Sequence, residues 1–336
     1  MKHFKFTPLL KTLIWGTESW QISGVEGNET LAEDGSSLNT LVKEMKGQLV
    51  GEANYQRFGD EFPLLIKFID ARQDLSIQVH PSDEIAHRQG KPRGKTEMWY
   101  VLDAAQGSEL IYGFNRDVDE TMVRRAIADD SIEKLLRRVP IERDDVFYIE
   151  SGTVHAIGAG SLIVEVQENS NLTYRMYDYH RIDKYGNERE LHIDKALQVA
   201  NLHSSISPRQ PIRVLNYRQG YATELLCRCR YFQAERMIVN TSRHQNAWLR
   251  TDSTSFAVLV CTRGCAAILW QSEAAHTQDE AASSTGTVGG AAGISADNPD
   301  HGTEYLLVSQ GDTVFLPADG PEIRIHGNAQ FLYVKC

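Results

Sequence analysis

A chain of 336 residues, 41% hydrophobic and 24% charged, is long enough for two domains and apolar enough to bury a core. Its formal net charge of −10 excludes general nucleic-acid binding, which needs a basic stripe to release counterions from phosphates. No stretch approaches the roughly 20 apolar residues of a membrane span. Lys11 breaks the N-terminal apolar run and no small-residue cleavage site follows, so no signal peptide and no membrane partner are expected and the cytoplasm is the expected compartment.

In chain order, residues 1–35 carry short apolar runs (TLIWG, SWQIS) between glycine and polar clusters, which predicts small strands at a sheet edge. Leu38, Leu41 and Val42 fall at helical spacing after two serines that can cap, with Gly47 at the stop. From Phe62 the texture changes to short runs rich in Val, Ile, Tyr and Phe (PLLIKFIDA, LSIQVHP, EMWYVLDA, ELIYGF, DVFYIE, LIVEVQE), the pattern of an antiparallel sandwich or barrel. A helix is predicted over DETMVRRAIADDSIEKLLRRVP, ending at Pro140, and a second over about 192–202 that divides the chain.

After Pro208 and Pro211 a fresh series of strands begins (RVLNY, ELLCRCRYFQAERMIV, SFAVLVCTR, AAILW, EYLLVSQ, DTVFLPA, IRIHG, QFLYVKC). Residues 272–303, rich in Ala, Gly, Ser and Thr, read as a flexible loop inside a hairpin. QGDTVFLPADGPEIRIHG near the end echoes RDDVFYIESGTVHAIGAG, which suggests two related barrels, of which the second keeps only His326 and is structural. The expected fold is therefore mainly β, two barrels with a few helices, divided into 1–202 and 203–336.

The five cysteines, Cys227, Cys229, Cys261, Cys265 and Cys336, are odd in number and late in the chain, so no disulfide framework is expected. Their spacing is not that of a zinc site, and they read as small buried strand residues.

Three segments carry chemistry. In Ile77-Gln78-Val79-His80-Pro81, strand alternation points Gln78 and His80 to one side. In Gly94-Lys95-Thr96-Glu97-Met98-Trp99, Lys95, Glu97 and Trp99 share a face, and an inward carboxylate needs a cation to neutralise it. In the third, the strand from Asp145 turns at Gly152 and returns His155. Each has a plain alternative, a hydrogen-bonded structural histidine or a surface Lys/Glu face. Together, two histidines and a carboxylate from three strands meet the ligand rule for a catalytic zinc with open positions, with Gln78 as an optional oxygen donor.

Gln-Val-His-Pro at 78–81, Gly-Lys-Thr-Glu-x-Trp-Tyr at 94–100, Ser-Gly-Thr-Val-His-Ala-Ile-Gly at 151–158 and the run from Gln167 through Arg175 to Tyr179 resemble the metal site of type I phosphomannose isomerases, in the short bacterial form, within the cupin superfamily. The resemblance covers most of residues 10–270 and the final strands. It implies two cupin-type (jelly-roll) barrels, one Zn2+ per chain held by His80, Glu97, His155 and Gln78, and catalytic roles for Arg175 and Lys95. The implied activity is interconversion of mannose 6-phosphate and fructose 6-phosphate through a cis-enediol, in a monomer or weak homodimer. One departure stands out: the family commonly has Ser-Asp before Thr-Tyr-Arg, whereas this chain has Asn171.

Arg175 is expected to share a strand face with Thr173 and Tyr177, and Lys91, Arg93, Arg72 and Arg181 are the candidates for a phosphate clamp. His87 and His180 read as solvent-side. Two other classes stay open on the residues alone: an iron-dependent cupin oxygenase, because two histidines and a carboxylate also suit non-haem iron, and a non-catalytic sugar-binding cupin stabilised by its metal.

Overall fold

The computed structural model describes residues 5–183, 185–206, 208, 210, 212–243, 246–271 and 302–336. Every strand pairing is antiparallel, as short β-rich runs joined by tight turns dictate. The first half builds two sheets. One has six strands in the order Val146–Ile149, Glu97–Ala104, Ser161–Glu168, Leu64–Ala71, Gly16–Ser23 and Leu9–Leu13. The other has five: Tyr174–Tyr177, Ile77–Val79, His155–Ile157, Glu109–Phe114 and Leu136–Pro140.

Alternation along the strands sorts the side chains into layers. Between the two sheets lies an apolar cluster with Ile69, Trp99, Val101, Phe147 and Ile163 from one sheet and Leu110 and Ile157 from the other. The far face of the five-stranded sheet (Ile77, Val79, Ile111, Tyr174, Met176) packs on the helices Glu120–Ala128 and Ile193–Val199. The far face of the six-stranded sheet (Leu64, Ile66, Met98, Tyr100, Val164, Val166) joins Leu38, Leu41, Val42 and Leu49 of the N-terminal helices. It also joins Leu226, Phe256, Val258, Phe315 and Leu332 from beyond residue 203. That cluster therefore runs across the two halves of the chain.

The helix expected at 38 forms over Leu38–Met45, with the Ser37 side chain accepting from Thr40 N–H. Gly51, between two short helices, has φ +91°, and a Cβ there would stand 2.2 Å from the Thr254 carbonyl oxygen. Only glycine lets the first half lie this close to the second.

The helix predicted through to Pro140 is shorter. It spans Glu120–Ala128, capped by Asp119, and stops where Asp130 takes φ +53°. A 3-10 turn, Ile132–Leu135, follows, and Leu136–Pro140 is an edge strand paired with Glu109–Phe114. Two aspartates and a serine in succession break the helix, and proline is tolerated at a sheet edge.

In the second half an eight-stranded sheet encloses a second cluster that includes Met237, Leu259, Ile268, Val314, Ile325 and Phe331. SFAVLVCTR and AAILW, expected as two strands, form one, Ala257–Gln271; IRIHG and QFLYVKC likewise form Ile323–Lys335. A register shift between Cys261 and Arg263 lets these long strands bend without ending. The loop expected over 272–303 falls almost wholly outside the described residues, while the strands on either side pair from Gln271 with Thr303 onward. The cysteines are free, and burial pushes the Cys227 thiol up to about 12. His326 is exposed and hydrogen-bonded to Thr241. No helix of the described residues is long and apolar enough to cross a membrane.

Candidate metal centre

Register brings the chemistry together. On the five-stranded sheet, Gln78 lies directly opposite His155 on one side and Arg175 on the other. On the facing sheet, Trp20, Lys67, Glu165 and Trp99 form one cross-strand row, and Glu97 stands opposite Gln167 in the next. Both rows point into the space between the sheets. At one end that space is filled by Ile69, Ile163 and Val101, so polar groups collect at the other.

His80, Glu97 and His155 are all buried, and one ligand atom from each lies within 4.8 Å of the others. Glu97 Oε2 is 3.6 Å from His80 Nε2, and Glu97 Oε1 is 3.4 Å from His155 Nε2. Donors on neighbouring corners of a tetrahedron with bonds of about 2.1 Å stand about 3.4 Å apart, and the two His–Glu spacings, each to a different carboxylate oxygen, are of that size. The backbone fixes both rings: the carbonyls of Leu172 and Thr153 accept from the Nδ1 atoms of His80 and His155 at 2.9 and 2.8 Å, turning each Nε2 inward. Such second contacts orient metal-binding histidines.

Electrostatics agree. Burial, then the nearby Lys95, lowers both imidazoles, His155 to about 4 and His80 well below its ordinary value, so both offer neutral lone pairs. The two His–Glu approaches are therefore not ion pairs. Burial and the charge of Glu165 push Glu97 up, and neither Glu97 oxygen has a hydrogen-bond partner, although Lys95 Nζ is 2.5 Å from Oε2. A buried carboxylate in that state is relieved by a cation placed between it and the two imidazoles. Gln78 is the fourth group: its amide nitrogen faces His155 Nε2 at 3.4 Å, so a turn of the amide presents the oxygen.

Around these residues runs a buried chain of charge. Lys95 reaches His80 Nε2 at 3.1 Å, Glu97 at 2.5 Å and Glu165 at 3.5 Å. Lys67 reaches Glu165 at 2.6 Å and Glu18 at 3.5 Å. Burial works against the charge on Glu165, yet Lys67 and Lys95 hold it well below the usual carboxylate range. With Glu97 ionised, as a bound cation would require, three carboxylates and two ammoniums leave one negative charge facing the ion. Lys67, Glu165 and Glu18 were not singled out from the sequence. The signal was there for two of them: Lys67 and Glu165 are each a charge flanked on both sides by apolar residues in the strands LLIKFID and LIVEVQE, at a position alternating with outward-facing residues.

Beside the donors opens a cavity of about 340 Å³, lined among others by Gln78, Lys95, Glu165, Asn171, Thr173 and Arg175. Arg175 donates from Nη1 to the Glu190 carbonyl at 2.8 Å. Tyr177 does not share its face as expected. A bulge between Arg175 and Tyr177 breaks the alternation, so Met176 and Tyr177 both join the apolar layer under the sheet.

None of the four expected phosphate-clamp residues lines this cavity. Arg72 is exposed beside Asp70, Arg93 pairs with Glu61, Lys91 and Arg93 line a separate cleft, and Arg181 is held by Asp178 and the Asp74 carbonyl. His87 and His180 are solvent-side, on Pro92 and Asp130.

The family model for the phosphomannose isomerase type I catalytic domain matches residues 8–110, which include Gln78, His80, Lys95 and Glu97 but not His155 or Arg175. Mannose-6-phosphate isomerase ManA of Bacillus subtilis is 38% identical over 251 residues, 68% of this chain and 76% of that protein. The mannose-6-phosphate isomerase of Streptococcus mutans is 37% identical over 189 residues, 55% of this chain and 58% of that one. The crystal structure of a mannose 6-phosphate isomerase from Bacillus subtilis superposes with a TM-score of 0.80 at 27% identity over 99% of both chains, so the mainly β, two-barrel cupin fold is shared. With three quarters of a curated relative matched at this identity, the chain belongs to the type I phosphomannose isomerase family.

Proposed function

We propose that the residues meeting at the metal centre are the catalytic apparatus of an aldose–ketose isomerase. The chain interconverts mannose 6-phosphate and fructose 6-phosphate. The family is metal-dependent, and His80, Glu97, His155 and Gln78 would hold one ion, which we assign as Zn2+ because two imidazoles and a carboxylate with an open position form a catalytic zinc donor set. When bound, the metal supplies Lewis-acid stabilisation of charge on the C1 and C2 oxygens.

The protein's own groups do the rest. The open-chain sugar loses its C2 proton, a cis-enediol forms, and a proton is returned to C1. Lys95 Nζ is the group we assign to carry that proton; it lines the cavity and is positioned by Glu97 and Glu165. Arg175, charged at any working pH, stabilises the enediolate or grips the sugar hydroxyls. Asn171 lines the same cavity as a neutral amide, so the family's carboxylate at that place is not part of this scheme. We place catalysis in residues 1–202 and a structural barrel in 203–336, in a cytoplasmic monomer or weak homodimer.

The observation that carries this reading is the buried His80–Glu97–His155 group beside a cavity walled by Lys95 and Arg175. A coupled assay of mannose 6-phosphate conversion tests it, on protein as purified, after chelation and after zinc is restored, with His80→Ala alongside. Activity should vanish with the metal, return with zinc and be absent from the variant. A folded, metal-replete protein without isomerase activity would overturn it.

A further inference from the structure

A phosphorylated substrate needs a place for its dianion, and the metal end of the cavity has none to offer. There Lys67 and Lys95 are consumed by Glu18, Glu97 and Glu165. Lys11, on the same wall, lies 3.4 Å over the Trp20 ring and donates to Asn28 Oδ1 at 2.6 Å.

Another wall of the cavity is different. Arg175, directly opposite Gln78 in the sheet register, and Arg189 both line it, and Arg181 is held on the same carboxylate as Arg189. The buried Asp178 carboxylate serves two of the three: it accepts from Arg181 and from both Nε and Nη2 of Arg189. Three guanidiniums share the buried Asp178 and the exposed Glu190, which leaves the cluster net positive in a chain whose overall charge is −10. Arg175 registers the crowding: burial first, then Arg189, lowers it from its ordinary value, and its Nε is buried without a partner.

We propose that Arg189, held in plane by Asp178 and facing the cavity beside Arg175, is the residue that binds the phosphate of the substrate. With Nε and Nη2 committed to Asp178, the Nη1 of Arg189 carries no protein hydrogen bond among the described residues and is left for a ligand. A guanidinium fixed in advance loses little entropy on binding a phosphate dianion. The enolising carbons then lie between the metal and Arg175, and the phosphate lies at Arg189. This assignment rests on the isomerase reading and adds the residue that selects a phosphorylated sugar.

The test compares wild type with Arg189→Gln, Arg189→Lys and Lys11→Gln. It reads kcat and KM for mannose 6-phosphate, competitive inhibition by inorganic phosphate, phosphate binding by calorimetry, and metal content. Loss of one charge-assisted contact to the dianion is expected to raise KM by about 10- to 100-fold in Arg189→Gln and to weaken inorganic phosphate by a similar factor. Metal content should not change, and Arg189→Lys should recover part of the loss. Because Arg189 also braces Asp178, the phosphate readout is the decisive one.

A fall in kcat with KM and phosphate binding unchanged would overturn the proposal, showing that Arg189 only braces the fold. So would a phosphate defect found in Lys11→Gln and not in Arg189→Gln. Wild-type protein that binds phosphate through Arg189 yet isomerises nothing would overturn the isomerase reading instead, so the two failures are told apart.

Discussion

Replacing Lys67 by Met keeps the length of the side chain and removes the charge that faces Glu165 at 2.6 Å and Glu18 at 3.5 Å. Removing one member of a buried ion pair typically costs about 3–5 kcal/mol, because the other charge is stranded. Here the cost has a ceiling, since Glu165 can escape by taking a proton. From an ordinary glutamate value of about 4.3, that proton costs about 3.7 kcal/mol at pH 7 and about 1 kcal/mol at pH 5. In the wild type Glu165 is held low, so its contribution to stability is present above the unfolded value and is lost as pH falls through the folded one. The penalty of Lys67→Met should therefore shrink with acidity, from about 3–4 kcal/mol at pH 7 to about 1 kcal/mol at pH 5. Urea denaturation followed by tryptophan fluorescence measures it, because Trp20 and Trp99 flank the pair in the same row. A penalty equal at both pH values, or below about 1 kcal/mol at pH 7, would refute the reasoning.

Glu97→Gln keeps the shape of the side chain but removes its charge. Its metal affinity, measured by competition with a coloured chelator, should fall by more than the roughly 10–100-fold typical of losing an outer contact; unchanged affinity would exclude Glu97 as a ligand. Glu168 is pushed up to about 8 by burial and by Asp83 beside it, so between about 4.3 and that value the folded chain holds a proton the unfolded chain has released. Stability is then lost as pH rises, by up to about 1.4 kcal/mol per unit. Glu168→Gln should raise the melting temperature over wild type by an amount that grows from pH 5 to pH 8, and a constant difference would show that Glu168 is ionised throughout. The Phe256 ring stacks on Phe315 at 5.4 Å and lies 4.7 Å from Phe62. Phe256→Ala should cost about 3–5 kcal/mol in urea denaturation, and a cost under about 1 kcal/mol would deny that this cluster matters to the first half.

The candidate donors were legible because each sits on or directly beside a short strand whose alternation fixes its face. Gln78, His80, Lys95 and Glu97 need only the two-residue period, and a glycine turn at 152 was enough to return His155. The period failed at Arg175, where one extra residue in the strand sends Tyr177 to the wrong layer, and bulges leave no clear mark in a single sequence. It failed differently at 119–140, where the three- and four-residue spacing continues past Asp130 although the backbone cannot. Lys67 and Glu165 were hidden by their apolar neighbours, whose composition announces a buried strand and draws attention from the charge between them. Arg189 lies in a polar turn with no periodicity at all, and only the folded chain shows that it meets Asp178 and the cavity.

The apolar cluster that crosses residue 202 gives the ligand-free second half a reason to persist. The strands beyond residue 203 form an outer wall on the sheet that carries Glu97 and Glu165. Leu64, Ile66, Met98, Val164 and Phe62 have their other side filled by Phe256, Phe315 and Leu332. Cutting the chain between its halves would bare that face to water and leave an adhesive fragment rather than a small isomerase. The boundary near residue 202 is thus not a point where the molecule can be divided, because packing ties the two halves together.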